Sequence, residues 1–444
     1  MLAVGGSIGT GLLLGSGAAI KIAGPAVILS YIIGAGIAFT VTMAFGEMAS
    51  AHPAAGSFGL YAELYLNNWA GFVSRFGYWF AIVIAVGAEL VAAATYMRVW
   101  FSAVAPVIWI VIFAVLLLLI NLRPVGNYGV FEYWFAMVKV ITIAVFIVIG
   151  AVLLLSKRVP AQYNVSGGCF PHGTASPLLA VSFALFSFLG LEFVAIASGE
   201  AQSAAAVARA TRIMFALLCT FYIGATAVLV GVMPWTQAGV AQSPFVTVFR
   251  IAGIPAASLL MNVVVLTAAL SGANANIFAA GRMLFSLARS GYAPPVLGRL
   301  SAAGSPHVAL SLSALGILVA IVAQQYAPET AYLYILGASL FGGMLAWWVT
   351  LAAHISFRAR FPAEQLAQLP LRVPGGQLLS GFGFAALLAA IGSTWLVPQT
   401  RITVVSGPFY LLFLSLAYVL ARRLRPISAI EITAGKLKKD ENQP

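Results

Sequence analysis

Continuous apolar runs, each close to twenty residues long, recur along nearly the whole of this sequence. A helix of about twenty residues crosses the roughly 30 Å hydrocarbon core of a bilayer. A chain with 62% hydrophobic and 8% charged residues cannot hide that surface inside a water-soluble globule. Because the runs do not alternate apolar with polar residues, they predict spanning helices and not barrel strands. The sequence therefore predicts an all-α polytopic membrane protein with the lipid bilayer as its solvent.

The apolar runs predict twelve transmembrane helices, with boundaries that are approximate by several residues. The predicted spans are 2–22, 25–46, 76–98, 106–122, 130–155, 177–198, 212–233, 254–281, 308–325, 331–353, 378–397 and 402–421. The segments between them are short and polar, and no soluble domain is expected. We therefore predict one transmembrane domain over 1–421 and a polar tail over 422–444.

The basic residues predict how the chain is oriented. An even number of spans puts both termini on one side of the membrane. With both termini in the cytoplasm, sixteen Lys and Arg side chains lie inside and six outside, while Lys139 falls within a span. This division follows the positive-inside rule. The net charge of +12 thus orients the protein, and we expect no nucleic-acid partner, since the basic residues sit at the ends of apolar runs and in the tail.

Glycine is dense at the start of the first span, at Gly5, Gly6, Gly9 and Gly11. Each glycine costs about 1 kcal/mol relative to alanine in a helix. The density favours a helix that breaks at mid-membrane and leaves N–H and C=O groups for a ligand. Such half-helix ends attract a carboxylate and an ammonium, which suits a zwitterion. Close helix packing through Gly-xxx-Gly spacing explains the same residues equally well.

Residues 5–9 also match the Gly-x-Ser-x-Gly pattern of a hydrolase nucleophile elbow. That motif requires a strand before it and a helix after it, with distant acid and histidine partners. Four residues precede it here, the four histidines lie in or beside predicted loops, and the only aspartate is Asp440 in the tail. We interpret the match as chance and expect no enzyme, no cofactor and no metal site.

Three ionisable side chains fall inside predicted spans, where charges are costly and commonly functional. Glu192 lies near the centre of the sixth span, and a buried structural carboxylate is its alternative interpretation. For Glu89 in the third span the structural role is the favoured one, with lining of a cavity as the other. Lys139 lies about 12 Å into the fifth span. It either stays paired permanently or changes its protonation during the work of the protein.

Small polar residues also occur at membrane depth in the eighth span, at Ser271, Asn274 and Asn276. They are candidates for lining the same cavity. Hydrogen bonding between helices explains such residues at least as well.

Several segments match a known family in sequence and in order. They are GGSIGTGLLLGSG with IKIAGPAV in 5–27, GEMASAHPAAGSF at 46–58, FEYWFAMVKVITI at 131–143, FSFLGLEFVAIASGEA at 186–201 and NVVVLTAALSGANANIFAAGRMLFSLARSGYAP at 262–294. On these motifs the chain resembles bacterial amino-acid permeases of the amino acid–polyamine–organocation (APC) superfamily. The likeness runs almost end to end.

The resemblance implies the leucine-transporter fold, with broken helices one and six at the substrate site. It assigns the first inverted repeat to 1–155, the second to 177–353 and two additional helices to 378–421. It also implies a multi-pass protein of the bacterial inner membrane with both termini cytoplasmic. In the family a cytoplasmic segment and a half-helix precede the glycine motif, so we expect the native chain to start upstream of Met1.

The resemblance further implies roles for single residues. Four residues of the first span would hold the ends of an amino acid through main-chain groups: Ile8, Gly9, Thr10 and Gly11. Four residues of the sixth span would form the opposite wall: Phe186, which matches the family's aromatic gate, Ser187, Gly190 and Glu192. Lys139 matches the lysine that stands where sodium-coupled relatives bind sodium, which implies proton coupling.

Together these features predict proton-coupled uptake of a neutral or aromatic L-amino acid. The alternatives within the fold are an amino-acid exchanger, a cationic amino-acid permease and a sodium-coupled symporter. Lys139 argues against sodium coupling and says little about exchange. From a different class, the alternative is a membrane amino-acid sensor that does not transport.

Overall fold

The computed structural model of this protein describes residues 6–52, 57–122, 128–164, 167–193, 203–301 and 304–424. Across these ranges the regular elements are all helical, as predicted, and no strand occurs. The helices are α1 Ser16–Ala23, α2 Val27–Ala51, α3 Ser57–Tyr65, α4 Asn68–Met97, α5 Pro106–Asn121, α6 Tyr128–Leu155, α7 Ser176–Leu179, α8 Val181–Phe188, α9 Ala204–Val232, α10 Pro244–Ile251, α11 Pro255–Arg289, α12 His307–Ser313, α13 Leu315–Tyr326, α14 Ala331–Arg360, α15 Ala363–Gln368, α16 Gln377–Ser393 and α17 Arg401–Leu424. A π-helical turn, Gly11–Gly15, leads into α1.

Nine helical stretches in the described part of the chain are long and apolar enough to cross a membrane. One of them, Gly11–Ala51, covers most of the first two predicted spans. The chain turns between these two spans at Gly24, whose φ is 62°. The shorter α5 is also apolar. The sixth predicted span continues into 194–198, which lie outside the described residues, as do Gly5 and the tail from 425. The protein is therefore multi-pass, and the count of twelve and the domain boundaries stay predictions.

Local capping explains why two helices begin well before their predicted starts at 76 and 212. The Asn67 side chain accepts a hydrogen bond from the Ala70 N–H (2.9 Å) and caps α4. The Ser203 hydroxyl accepts one from the Ala206 N–H (3.2 Å) and caps α9. Hydropathy marks where a helix enters lipid, whereas the caps mark where it begins.

Helix α4 is the centre of the bundle. Its most apolar stretch is 83% buried, whereas that of α17 is 17% buried. Helices α11 and α14 pack along α4, and α2 packs against α8 and α9. The large exposed apolar side chains are frequent on α5, α6 and α17, which places these helices at the lipid-facing rim. This arrangement encloses α1 and α8 within the bundle.

Three segments predicted as polar loops contain the short helices α3, α10 and α15. In addition, α14 runs past its predicted end at 353 as far as Arg360. His354, which we expected beside a loop, is therefore fully buried on this helix.

Candidate substrate site

The first span is broken at Ile8 and Gly9. Gly6 and Ser7 are helical, Ile8 and Gly9 form a bend, and a π-helical turn follows at Gly11–Gly15. A wide turn of this kind interrupts the regular hydrogen bonding of an α-helix. The break that the glycine density favours is therefore present.

Side chains from distant helices hold the main chain around this break. The Tyr222 hydroxyl donates a hydrogen bond to the Ser7 carbonyl oxygen (2.8 Å), and the Tyr332 hydroxyl donates one to that of Thr10 (2.9 Å). The Thr10 N–H donates to both carboxylate oxygens of Glu89, at 3.2 and 3.3 Å. Because buried main-chain groups need partners, these three side chains fix the geometry of the break. They also occupy groups that we expected to be open to a ligand.

The second break ends α8 at Phe188. Leu189 is extended, with φ −60° and ψ 136°, and Gly190 has a φ of 109°. A residue with a side chain rarely adopts that φ, so the glycine permits the turn. The interruption of the sixth span thus lies where the resemblance places it.

The two breaks touch each other, and glycine permits the contact. A Cβ atom on Gly190 would lie 2.8 Å from the Ser7 Cα atom. A Cβ atom on Gly11 would lie 2.9 Å from the Ser187 Cα atom and 2.9 Å from the Phe186 ring. Real Cβ atoms essentially never approach so closely. The glycines of the first span therefore serve both a helix break and close packing, the two interpretations that the sequence left open.

A cavity of about 60 Å³ lies between the two breaks. Its lining includes six of the predicted substrate-site residues, namely Gly9, Gly11, Phe186, Ser187, Gly190 and Glu192. Glu89 and Asn276, two candidates for lining a cavity, also lie along its wall. This volume is well below the few hundred Å³ of typical ligand pockets. The site as described is therefore too small for an amino acid and must widen to admit one.

Ile8 and Thr10 are not among the described residues that line this cavity. The Ile8 side chain is fully buried in the hydrophobic core. The Thr10 N–H and C=O groups are bonded to Glu89 and Tyr332. Main-chain contact between Thr10 and a substrate would therefore require these bonds to exchange.

Glu192 is held in place at the cavity wall. Its side chain is 1% exposed, and its Oε2 atom accepts a hydrogen bond from the Trp347 indole N–H (3.0 Å). Tyr78 is a second hydrogen-bond partner. Burial of a carboxylate is tolerated when such donors satisfy it. The carboxylate is thus anchored by two aromatic side chains while it faces the cavity.

Lys139 on α6 is 2% exposed and lies within range of the charges of Glu132 and Glu89. Glu132 stands seven residues before Lys139, which is about two helical turns and places both on one face of α6. The Ser271 hydroxyl donates a hydrogen bond to Glu132, at 3.0 Å to Oε1 and 3.2 Å to Oε2. A buried lysine therefore lies near two carboxyl groups, one on its own helix and one that bonds the break of the first span.

Comparison with known proteins identifies the family. A family model described as amino acid permease matches residues 1–425. The chain belongs to the amino acid permease family. This permease is 36% identical over 434 residues to the aromatic amino acid transport protein AroP of Escherichia coli, an alignment that covers 94% of this chain and 93% of the relative. It is 33% identical over 426 residues to the probable threonine/serine transporter YbxG of Bacillus subtilis, covering 94% and 92%.

A solved structure confirms the fold class of the permease. Its fold is similar to that of a manganese transporter from Eremococcus coleocola, with a TM-score of 0.61 at 13% identity, covering 95% of this chain and 92% of the other. At this identity the likeness shows the fold alone. The predicted leucine-transporter-like architecture with interrupted helices one and six agrees with it.

Two of the predicted cavity residues do not line the cavity of the permease. The Ser271 hydroxyl is bonded to Glu132, and the Asn274 side-chain oxygen accepts a hydrogen bond from the Asn121 amide (2.7 Å). Hydrogen bonding between helices, the alternative interpretation, is what the structure shows for both. The reason is that a polar group in an apolar bundle bonds to the nearest polar partner.

Sequence reasoning missed five residues of this site: Tyr78, Tyr222, Tyr332, Trp347 and Glu132. The tyrosines carried one usable signal, since a buried tyrosine hydroxyl usually finds a hydrogen-bond partner. For Glu132, the signal was its spacing from Lys139 on the same helix face. Neither signal identifies the main-chain groups that Tyr222 and Tyr332 bond or the Ser271 hydroxyl that bonds Glu132, because these lie on other segments of the chain.

Proposed function

We propose that this permease takes up a neutral or aromatic L-amino acid across the bacterial inner membrane and couples the uptake to protons. The observation that carries the proposal is the direct contact of two interrupted helices around the cavity. There the walls combine main chain from Gly9, Gly11 and Gly190 with the apolar ring of Phe186. Main-chain dipoles complement the charged ends of an amino acid, and the ring complements an uncharged side chain.

The preference for a neutral or aromatic substrate rests on two supports. The relatives named above are described as transporters of aromatic amino acids and of threonine or serine. In addition, the Glu192 carboxylate already has donors from Trp347 and Tyr78, so it needs no cationic substrate to balance its hydrogen bonding. Both argue against a cationic amino-acid permease.

The proposal for proton coupling rests on Lys139. Its ammonium, when present, attracts Glu89, and the Glu89 carboxylate holds the Thr10 N–H at the break of the first span. Loss of the proton removes that attraction and loosens the break. Protonation is thereby linked to the step in which the broken helices rearrange. The competing interpretation is a lysine that stays charged and paired throughout the cycle.

Uptake into proteoliposomes tests the function. The purified permease is reconstituted and offered each of the twenty amino acids in labelled form, in vesicles that are empty or preloaded with the same amino acid. We expect saturable accumulation of a neutral or aromatic L-amino acid in empty vesicles under an acid-outside gradient. Uptake that requires preloading would assign an exchanger. Specific binding without flux for any amino acid would assign a sensor.

The orientation is part of the proposal and has its own test. Sixteen Lys and Arg residues lie on the proposed cytoplasmic side against six on the other. Reporter fusions after Arg289 and after Arg425 should therefore behave as cytoplasmic, and a fusion in the loop around His172 as external. An external signal from the tail fusion would contradict the twelve-span arrangement.

A further inference from the structure

A second cavity, of about 500 Å³ and open to the surface, lies at the end of the bundle that we propose to be cytoplasmic. One wall is the segment 369–374, which connects α15 to α16. Two arginines line the rest, Arg212 on α9 and Arg358 in the last turn of α14, and the wall itself contributes a third, Arg372. The cavity is separate from the substrate site and shares none of its described lining residues.

A buried carboxylate fixes the shape of this cavity. Glu47, at the end of α2, is fully buried and accepts two hydrogen bonds from the Arg358 guanidinium, at 2.8 Å from Nε and 2.6 Å from Nη2. The same carboxylate accepts the Val373 N–H (3.2 Å), and Arg358 donates to the Val373 carbonyl oxygen (3.1 Å). A guanidinium that donates two parallel hydrogen bonds to one carboxylate is held in a specific geometry. These hydrogen bonds therefore fix the position of Val373 in the wall.

The opposite end of the wall is held by Arg212, whose Nη2 atom donates a hydrogen bond to the Pro370 carbonyl oxygen (2.8 Å). This contact orients the guanidinium and leaves its charge uncompensated. Among the described residues, neither Arg212 nor Arg372 has a carboxylate within ion-pair distance. Glu47 thus balances Arg358, and two positive charges remain at the cavity.

The chemistry of the lining points to an anion. The remaining lining residues are Leu369, Pro370, Val373 and Pro374, none of which is acidic. Guanidinium groups bind phosphate through paired hydrogen bonds and are more weakly hydrated than ammonium groups. Arg212 and Arg372, which have no carboxylate partner among the described residues, therefore favour a ligand group with one or two negative charges.

We propose that this cavity binds a phosphate group, with the headgroup of an anionic phospholipid as its source. Lipid is the favoured source because apolar side chains exposed on the surface flank the site in sequence. Ile213, next to Arg212, is 59% exposed, and Leu378, in the first turn of α16, is 83% exposed. Basic pockets at the cytoplasmic ends of membrane helices bind anionic headgroups in this way. Free phosphate is the other source of the same chemistry.

Native mass spectrometry of the delipidated permease tests the proposal, with phosphatidylglycerol and phosphatidylcholine titrated in parallel. We expect phosphatidylglycerol to bind preferentially and Arg372→Gln to weaken that binding about fivefold. The matched control is Arg209→Gln, an exposed arginine one turn earlier on α9 that does not line the cavity. Arg358 is left intact because it holds the wall.

A second arm distinguishes the source of the phosphate. Thermal stability of the same variants is measured with inorganic phosphate. Stabilisation by phosphate that Arg372→Gln loses and Arg209→Gln keeps, with no preference for phosphatidylglycerol, would assign a free anion to the site. Equal lipid binding by all three proteins, or an equal loss in the Arg209 control, together with no phosphate effect that depends on Arg372, would overturn the proposal.

Discussion

Replacing Lys139 by alanine is expected to abolish the accumulation of substrate that an imposed pH gradient drives, while part of the substrate binding remains. The physical reason is that the ammonium acts on Glu89, which holds the first broken helix, whereas Lys139 is not among the residues that line the 60 Å³ cavity. Uptake into proteoliposomes under acid-outside and sodium gradients measures the effect. A sodium gradient should not rescue the variant.

A companion variant separates loss of coupling from loss of folding. Removing the lysine leaves Glu132 and Glu89 buried without a nearby ammonium, which is destabilising because a buried carboxylate is costly when no positive charge offsets it. The double variant Lys139→Ala/Glu132→Gln removes one of these charges and keeps an acceptor for the Ser271 hydroxyl. We expect it to be more stable than Lys139→Ala and still unable to accumulate substrate. Full proton-driven uptake in either variant would contradict the coupling assignment.

Replacing Gly11 by valine is expected to abolish substrate binding without preventing membrane insertion. The new Cβ atom would lie 2.9 Å from the Ser187 Cα atom, which belongs to the main chain and cannot rotate away. The two broken helices must therefore separate at the point where they enclose the cavity. Overpacking of this kind typically costs about 1–3 kcal/mol, which is tolerable for insertion and damaging for a site built on that contact. Equilibrium binding of labelled substrate to the purified variant measures the outcome.

The matched control for that variant is Gly36→Val on α2. A Cβ atom on Gly36 meets no atom within 4 Å, so the substitution adds the same side chain without a collision. We expect its binding to equal that of the unmodified permease. Unchanged binding in Gly11→Val as well would place the substrate site elsewhere in the bundle.

The fold was predictable because bilayer thickness sets the length of each apolar run. Most helices lie close to their predicted spans, and the break at Ile8 and Gly9 lies within the glycine cluster. The helix starts at Asn68 and Ala204 were predicted too late, since the capping side chains Asn67 and Ser203 act outside the apolar run. A hydropathy pattern does not detect these capping side chains.

The polar partners of the site were not predictable from the sequence. Tyr332 reaches the Thr10 carbonyl oxygen across 322 positions of sequence, and Tyr222 reaches that of Ser7 across 215. Such pairings follow from how whole helices pack, which no local motif encodes. For the same reason the sequence left Ser271 open between cavity lining and hydrogen bonding to another helix, and did not identify the Glu132 carboxylate as its partner.

The central claim, that amino-acid uptake carries protons inward, is tested most directly by the internal pH of proteoliposomes. A pH-sensitive dye is trapped inside vesicles that contain the permease, the membrane potential is clamped, and a transported amino acid is added outside without any imposed pH gradient. We predict that the interior acidifies as the amino acid enters, and that Lys139→Ala vesicles show no such change. Entry of the amino acid at unchanged internal pH would contradict the account.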